Sequence, residues 1–232
     1  MLNDCQLNTD MIHIIYSHGR CGSTLFAQLL AACVYTQENT NPTLKGFLHG
    51  KYIHHDMNSD VELLRNQRII HTHQVDSRYN ELSKNNIMYF LTRRNIVETL
   101  ASLMIAQYTK GYNYIPGAKN SKMNKRTFWS KPPTSEKLSL PDSRVQALVE
   151  SYNYFITKDH YECRRQNANT HLVFYEDWIG DFSKLPFDAN YNHDLNYKLT
   201  NKIPIDKLEW VDYNILIGQV LKFNNGSTEL QV

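Results

Sequence analysis

Cysteine is scarce and unpatterned. The 232 residues hold four, Cys5, Cys21, Cys33 and Cys163, with no C-x-x-C pair among them. A structural zinc ribbon and a disulfide scaffold are therefore not expected, and reduced thiols in a cytosol are. Long apolar runs are also missing. The longest, around Leu25 to Tyr35, is interrupted by Gln28 and falls well short of a bilayer span. No charged-then-apolar leader opens the chain, so the expectation is a cytoplasmic protein with no membrane partner. Nor is there an excess of one charge: Lys+Arg 25 against Asp+Glu 23 leaves +2. Bulk electrostatic binding of nucleic acid needs a basic surplus, so no nucleic-acid partner is expected. What remains, 41% hydrophobic and 21% charged residues, is the composition of an ordinary globular protein, and the length suits one domain over 1–232.

Hydrophobic periodicity gives the organisation. Met11 to Ser17 reads as a buried strand running into His18-Gly19-Arg20-Cys21-Gly22-Ser23-Thr24. Beyond it Leu25, Phe26, Leu29, Leu30, Cys33 and Val34 follow helical spacing, with Ser23 or Thr24 as the expected N-cap. Further strands are expected at Arg68–His73, Ile87–Thr92 and His171–Tyr175. Helices are expected from Ile96 to Met104, from an Asp142 cap to about Arg165, and from Pro204 to Phe223. Strands alternating with helices imply an α/β fold with a mainly parallel sheet flanked by helices in three layers. Periodicity fails over about 109–141, where Lys110 to Lys137 contains seven Lys/Arg and one acid. So long an aperiodic stretch reads equally as a lid or as a flexible insertion.

The glycine loop carries the first chemistry. A loop between a buried strand and a helix N-terminus turns successive N–H groups toward an anion, and the helix dipole reinforces them. Gly19 and Gly22 permit unusual backbone geometry, Arg20 adds a fixed charge, and Ser23 and Thr24 add hydroxyls. A phosphate or related oxyanion is the expected ligand. A Walker A loop would place a lysine after its last glycine, but Gly22 is followed directly by Ser23 and Thr24.

Tyr16 to Leu25 resembles the 5′-phosphosulfate loop of sulfotransferases that use 3′-phosphoadenosine 5′-phosphosulfate (PAPS), with Cys21 where Ser is commoner. Phe90 to Ser102 resembles that family's 3′-phosphate segment, in which a strand-end Arg and a Ser eight residues on grip the nucleotide; Arg94 and Ser102 have the spacing. Leu172 to Trp178 resembles its strand ending in Tyr-Glu-Asp, which makes Tyr175 a candidate adenine neighbour. Glu176 and Asp177 are also candidates to cap the following helix, and an apolar strand ending in acids doubles as a Walker B element. The resemblance implies a P-loop-like fold and a nucleotide site built from Gly19, Arg20, Cys21, Gly22, Ser23, Thr24, Leu25, Arg94, Ser102 and Tyr175. The family's C-terminal Arg-Lys-Gly segment has only Lys222-Phe223-Asn224-Asn225-Gly226 as its counterpart.

Sulfuryl transfer requires an acceptor hydroxyl or amine, a base for its proton, and positive charge on the leaving phosphate oxygen; fixed cations suffice, and no metal is expected. Arg20 is the candidate for the leaving group. Arg68 to His73 resembles the Lys-Thr-His segment of cytosolic sulfotransferases, whose His is the general base, so His73 is the candidate base and His71 replaces the Lys. Glu38 competes for the role, because Golgi and bacterial members carry a catalytic Glu after the same helix. His54-His55-Asp56 offers metal-ligand types, but neighbouring residues point apart and no third partner is evident. The acceptor, whether small molecule, glycan or protein, is not legible, and neither is oligomeric state. Two other readings stay open: a P-loop kinase or NTPase using ATP and Mg²⁺, and a nucleotide-binding module without catalysis.

Overall fold

The computed structural model describes residues 11–35, 53–55, 64–73, 86–108, 136–187 and 207–230. In chain order the elements are β1 (His13–Ser17), α1 (Ser23–Val34), β2 (His54–His55), β3 (Ile69–Thr72), β4 (Ile87–Thr92), α2 (Ile96–Tyr108) and α3 (Asp142–Tyr154). A π-helical segment (Phe155–His160), α4 (Tyr161–Gln166), β5 (Thr170–Phe174), α5 (Tyr175–Trp178), α6 (Lys207–Trp210) and α7 (Tyr213–Phe223) complete them. They divide between two compact units, Met1–Thr92 with Phe155–Lys202, and Arg93–Tyr154 with Ile203–Val232.

The first unit holds the sheet. Its order is β2-β3-β1-β4-β5 and every pairing is parallel. β1 is central and wholly buried, which is why its sequence is apolar on both sides rather than alternating. Side chains still alternate between faces. Ile15, Tyr89, Leu91 and Val173 join Phe26, Leu29, Leu30 and Trp178 in one core, where the Phe26 ring meets Tyr89, Trp178 and Phe187 edge-on. On the opposite face Tyr16 and Phe90 pack together, and Phe90 touches Phe155 and His160 of the π-helical segment. The chain visits β3 on one side of β1 and then β4 on the other. In open parallel sheets the crevice at the strands' C-terminal ends beside such a reversal is where ligands bind.

The second unit is helical. The Asp142 carboxylate, in the first turn of α3, accepts from Gln219 Nε2 at 2.8 Å and Lys222 Nζ at 2.7 Å on α7. Glu98 in α2 pairs with Lys207 and accepts from Tyr213 Oη at 2.8 Å. Burial pushes the Glu98 carboxyl up, but these two partners outweigh it and hold it below its ordinary range.

Four sequence expectations are corrected. The helix expected over Pro204–Phe223 is two helices, because Asp212 accepts from Ile215 N at 3.2 Å and starts a new one. Asp142 lies inside its helix rather than capping it, with the Pro141 carbonyl taking the Val145 amide at 3.1 Å. The N-cap of α1 is Gly22, not Ser23 or Thr24. Glu176 and Asp177 fall within the first turn of α5, whose N-cap is Phe174.

Candidate functional site

The turn from β1 to α1 lies at the strand-order reversal. His18 N donates to Leu91 O at 3.4 Å, tying the start of the turn to β4. Arg20 and Gly22 are both left-handed, at φ 72° and 76°. Two such residues within three positions curl the chain tightly, and a side-chain-bearing residue in this region is uncommon. The Cys21 thiol turns inward and donates to His18 O at 2.8 Å. Cys21 is buried in the core. The N-cap of α1 is Gly22, which has no side chain with which to cap it. The first intrahelical bond runs from Phe26 N to Gly22 O at 3.0 Å, so the N–H groups before it have no intrahelical acceptor, the condition under which a helix end takes an anion.

Gly22 is held by close packing as well as by its backbone angle. A β-carbon there would lie 2.6 and 2.8 Å from two ring carbons of Tyr175 and 3.3 Å from Trp178 Cζ2. Thus the Tyr175 segment, expected near the nucleotide, is pressed against the loop. Its ring also meets Trp178 edge-on. Trp178 is fully buried, with its indole Nε1 lacking a hydrogen-bond partner among the described residues. Gly19, by contrast, has nothing within 4 Å of such a β-carbon.

At the neighbouring strand end, His73 follows β3 and remains exposed. Its Nδ1 lies 2.8 Å from the Ser17 carbonyl oxygen and 3.1 Å from Ser17 Oγ. Ser17 Oγ also lies 2.9 Å from His71 Nε2. Ser17 and His71 are almost completely buried. Parallel register explains the meeting: Ile15 pairs with His71 and Tyr16 with Thr72, so His71, His73 and Ser17 share one face. Sequence reasoning missed Ser17 and His71 as partners of His73. The alternation on β3 was visible, but their proximity needs the β1–β3 register.

His18 packs its ring 4.2 Å from Phe155. Burial, and then the charge of nearby His73, pull its pKa down to about 3. At the other end of β1, burial lowers His13 to about 4. Both are neutral in the folded protein near pH 6.5, whereas in the unfolded chain they begin to protonate there. Stability is thus fully present above pH 6.5 and declines as pH falls toward 4 for His13 and toward 3 for His18. The slope is about 1.4 kcal/mol per pH unit for each histidine. Urea melts between pH 6.5 and 5, above the main carboxylate range, are expected to show this loss; a constant unfolding free energy across that window contradicts it.

Of the other sequence candidates, Gly19 to Leu25, Tyr175 and His73 all come together in the first unit around this turn. Glu38 lies outside the described residues, as do 109–135 of the expected lid. Arg94 and Ser102 belong to the second unit. There Arg93, not singled out by spacing, brings Nη1 to 3.5 Å from Ser102 Oγ, while the Arg94 carbonyl accepts from Leu230 N at 2.9 Å. Among the described residues no group of three His, Cys, Asp or Glu could hold a metal ion, and no helix is long and apolar enough to cross a membrane. No family model, no curated protein and no solved structure matches the chain.

Proposed function

We propose that the protein transfers the sulfuryl group of PAPS to a hydroxyl or amine acceptor. The observation that carries this reading is one juxtaposition. His73 is held by the last residue of β1, immediately before a double left-handed turn into a helix whose N-cap is a glycine. The turn suits the 5′-phosphosulfate, and the imidazole suits the acceptor's proton. In the proposed step the acceptor oxygen or nitrogen attacks sulfur in line and the bond from sulfur to the bridging phosphate oxygen breaks. The acceptor proton passes to His73, and Arg20 with the loop amides takes up the charge released on the phosphate. Arg94 and Ser102 are assigned to the 3′-phosphate by their eight-residue spacing, and Arg93 joins them through its approach to Ser102. The P-loop-like character of the fold, the cytoplasmic setting and the independence from metal belong to the same proposal.

A kinase or NTPase is the second reading, favoured by Glu176 and Asp177 just after β5. Against it stands Ser23 where a Walker A loop has lysine. Titration with PAPS and with ATP, each with and without Mg²⁺, separates the two. PAPS is expected to bind without metal and ATP at least tenfold more weakly; Mg²⁺-dependent preference for ATP overturns the proposal. Single-turnover assay with labelled PAPS and an acceptor panel then tests catalysis. Arg20→Ala is expected to lower the transfer rate by about 10²–10³, the usual effect of deleting one preorganised charge-stabilising group. Binding without transfer to any acceptor leaves the nucleotide-binding module.

A further inference from the structure

Two left-handed residues, Asn225 at φ 51° and Gly226 at φ 77°, turn the chain back at the end of α7, and Gly226 N closes that helix on Leu221 O at 2.9 Å. The returning residues lie against the start of α2. Glu229 pairs antiparallel with Asn95, flanked by bonds from Ile96 N to Thr228 O and from Leu230 N to Arg94 O, both 2.9 Å. One almost fully buried side chain, Asn224, holds this strap from behind. Its Nδ2 donates to Ser227 O at 2.9 Å and to Glu229 O at 2.7 Å, and its Oδ1 accepts from Asn153 Nδ2 on α3 at 2.8 Å. Both carbonyls only accept, so the amide meets them through its nitrogen. The residue that pairs with Asn95 is thereby anchored itself.

The strap grips the segment that carries the residues assigned to the 3′-phosphate. Arg94 gives its carbonyl to Leu230, Asn95 accepts from Glu98 N at 2.9 Å through its side chain, and the Ile96 amide is taken by Thr228. Ser102 lies about two turns further along the same helix, with Arg93 Nη1 at 3.5 Å from its hydroxyl. The Ile96 and Glu98 amides are thus committed to acceptors of the chain itself. An anion held here depends on side chains, and their aim depends on the main chain from which they project. We infer that 224–230, locked by the Asn224 amide, positions the 3′-phosphate grip by fixing the main chain at Arg94 and Asn95, with Asn224 as the positioning residue. The identity of the ligand rests on the sulfuryl-transfer reading; the coupling of strap to helix does not.

3′-Phosphoadenosine 5′-phosphate (PAP) and AMP differ only in the 3′-phosphate, so the ratio of their dissociation constants on one protein reads the grip alone and does not depend on the fraction folded. Calorimetric titration of the wild type is expected to show a preference for PAP of about a hundredfold, about tenfold for each of two charge-assisted contacts. Asn224→Asp keeps the shape of the side chain but sets a carboxylate oxygen against the Ser227 and Glu229 carbonyls. The preference is then expected to fall to about tenfold or less, the loss of one such contact, with AMP affinity unchanged. Hydrogen exchange at Ile96 N and Leu230 N is expected to quicken in the same variant. A merely stabilising role for Asn224 lowers Tm and leaves the ratio where it was, and that result overturns the inference. If Asn224→Asp does not fold, Ser227→Ala decides: Ser227 Oγ accepts from Glu229 N at 3.0 Å, and its removal is expected to reduce the preference several-fold. An unchanged ratio there overturns the inference too. The two failures are distinct. Variants that keep a wild-type preference for PAP refute the strap alone, whereas a wild type without that preference has no grip to position, and both the proposed function and the inference fall.

Discussion

Gly22→Ala is expected to melt about 5–10 °C below the wild type and to lose measurable PAPS binding, while Gly19→Ala melts with the wild type. Two costs add at Gly22. The left-handed backbone, φ 76°, costs a residue with a β-carbon about 1 kcal/mol or more. The β-carbon also meets Tyr175 ring carbons at 2.6 and 2.8 Å, a separation at which something has to move. Overpacking of this kind costs roughly 1–3 kcal/mol. Retreat is difficult because Trp178, fully buried, stands against the same ring. A total of about 3 kcal/mol corresponds to the stated shift for a chain of this size. Binding suffers more than stability, since any shift of the turn misaims the amides that would face the anion. Gly19 has open space and no positive φ, so it isolates the effect of position from that of residue type. Tyr175→Ala in the Gly22→Ala background relieves the contact but not the backbone angle, and is expected to recover part of the stability only. A Gly22→Ala protein with wild-type melting and binding contradicts both costs.

Local signals in the chain reveal the turn, and nonlocal geometry hides its neighbours. β4 was legible to the residue because Ile87–Thr92 is an apolar run closed by two arginines. The helix start was misplaced because Ser and Thr are the better N-caps in general, whereas here the left-handed Gly22 ends the turn and takes the cap itself. The break at Asp212 was missed because apolar spacing continues through Trp210, Val211, Ile215 and Leu216, and periodicity does not register a change of axis. Nothing in Phe155–His160 distinguishes a π-helical stretch from an α-helix by composition, yet Phe155 reaches the His18 ring from it. The Ser17–His71 contact joins residues 54 apart and exists only through parallel register. Arg93 and Arg94 are adjacent and chemically identical, so spacing alone selected Arg94, while geometry brings the Arg93 guanidinium toward Ser102.

His73→Gln is expected to lower the single-turnover rate of sulfuryl transfer by about 10²–10⁴, or roughly 3–5 kcal/mol of barrier, with little change in PAPS affinity. The separation of rate from affinity follows from position. The anion is assigned to the turn, Arg20 and the first amides of α1, whereas His73 Nδ1 is held by Ser17, which precedes the turn. Besides His73, the imidazoles near this strand end are those of His71 and His18, and His18 is the control whose basicity is known to be low. Its pKa of about 3 makes it a poor proton acceptor at neutral pH, because a base that weak gains little from the proton arriving in the transition state. His18→Gln is therefore expected to cost rate only through its packing on Phe155, with a fall in melting temperature that His73→Gln does not share. Glu38→Gln completes the set. A large loss of rate in Glu38→Gln beside a silent His73→Gln assigns the proton to the carboxylate and removes the imidazole from the mechanism.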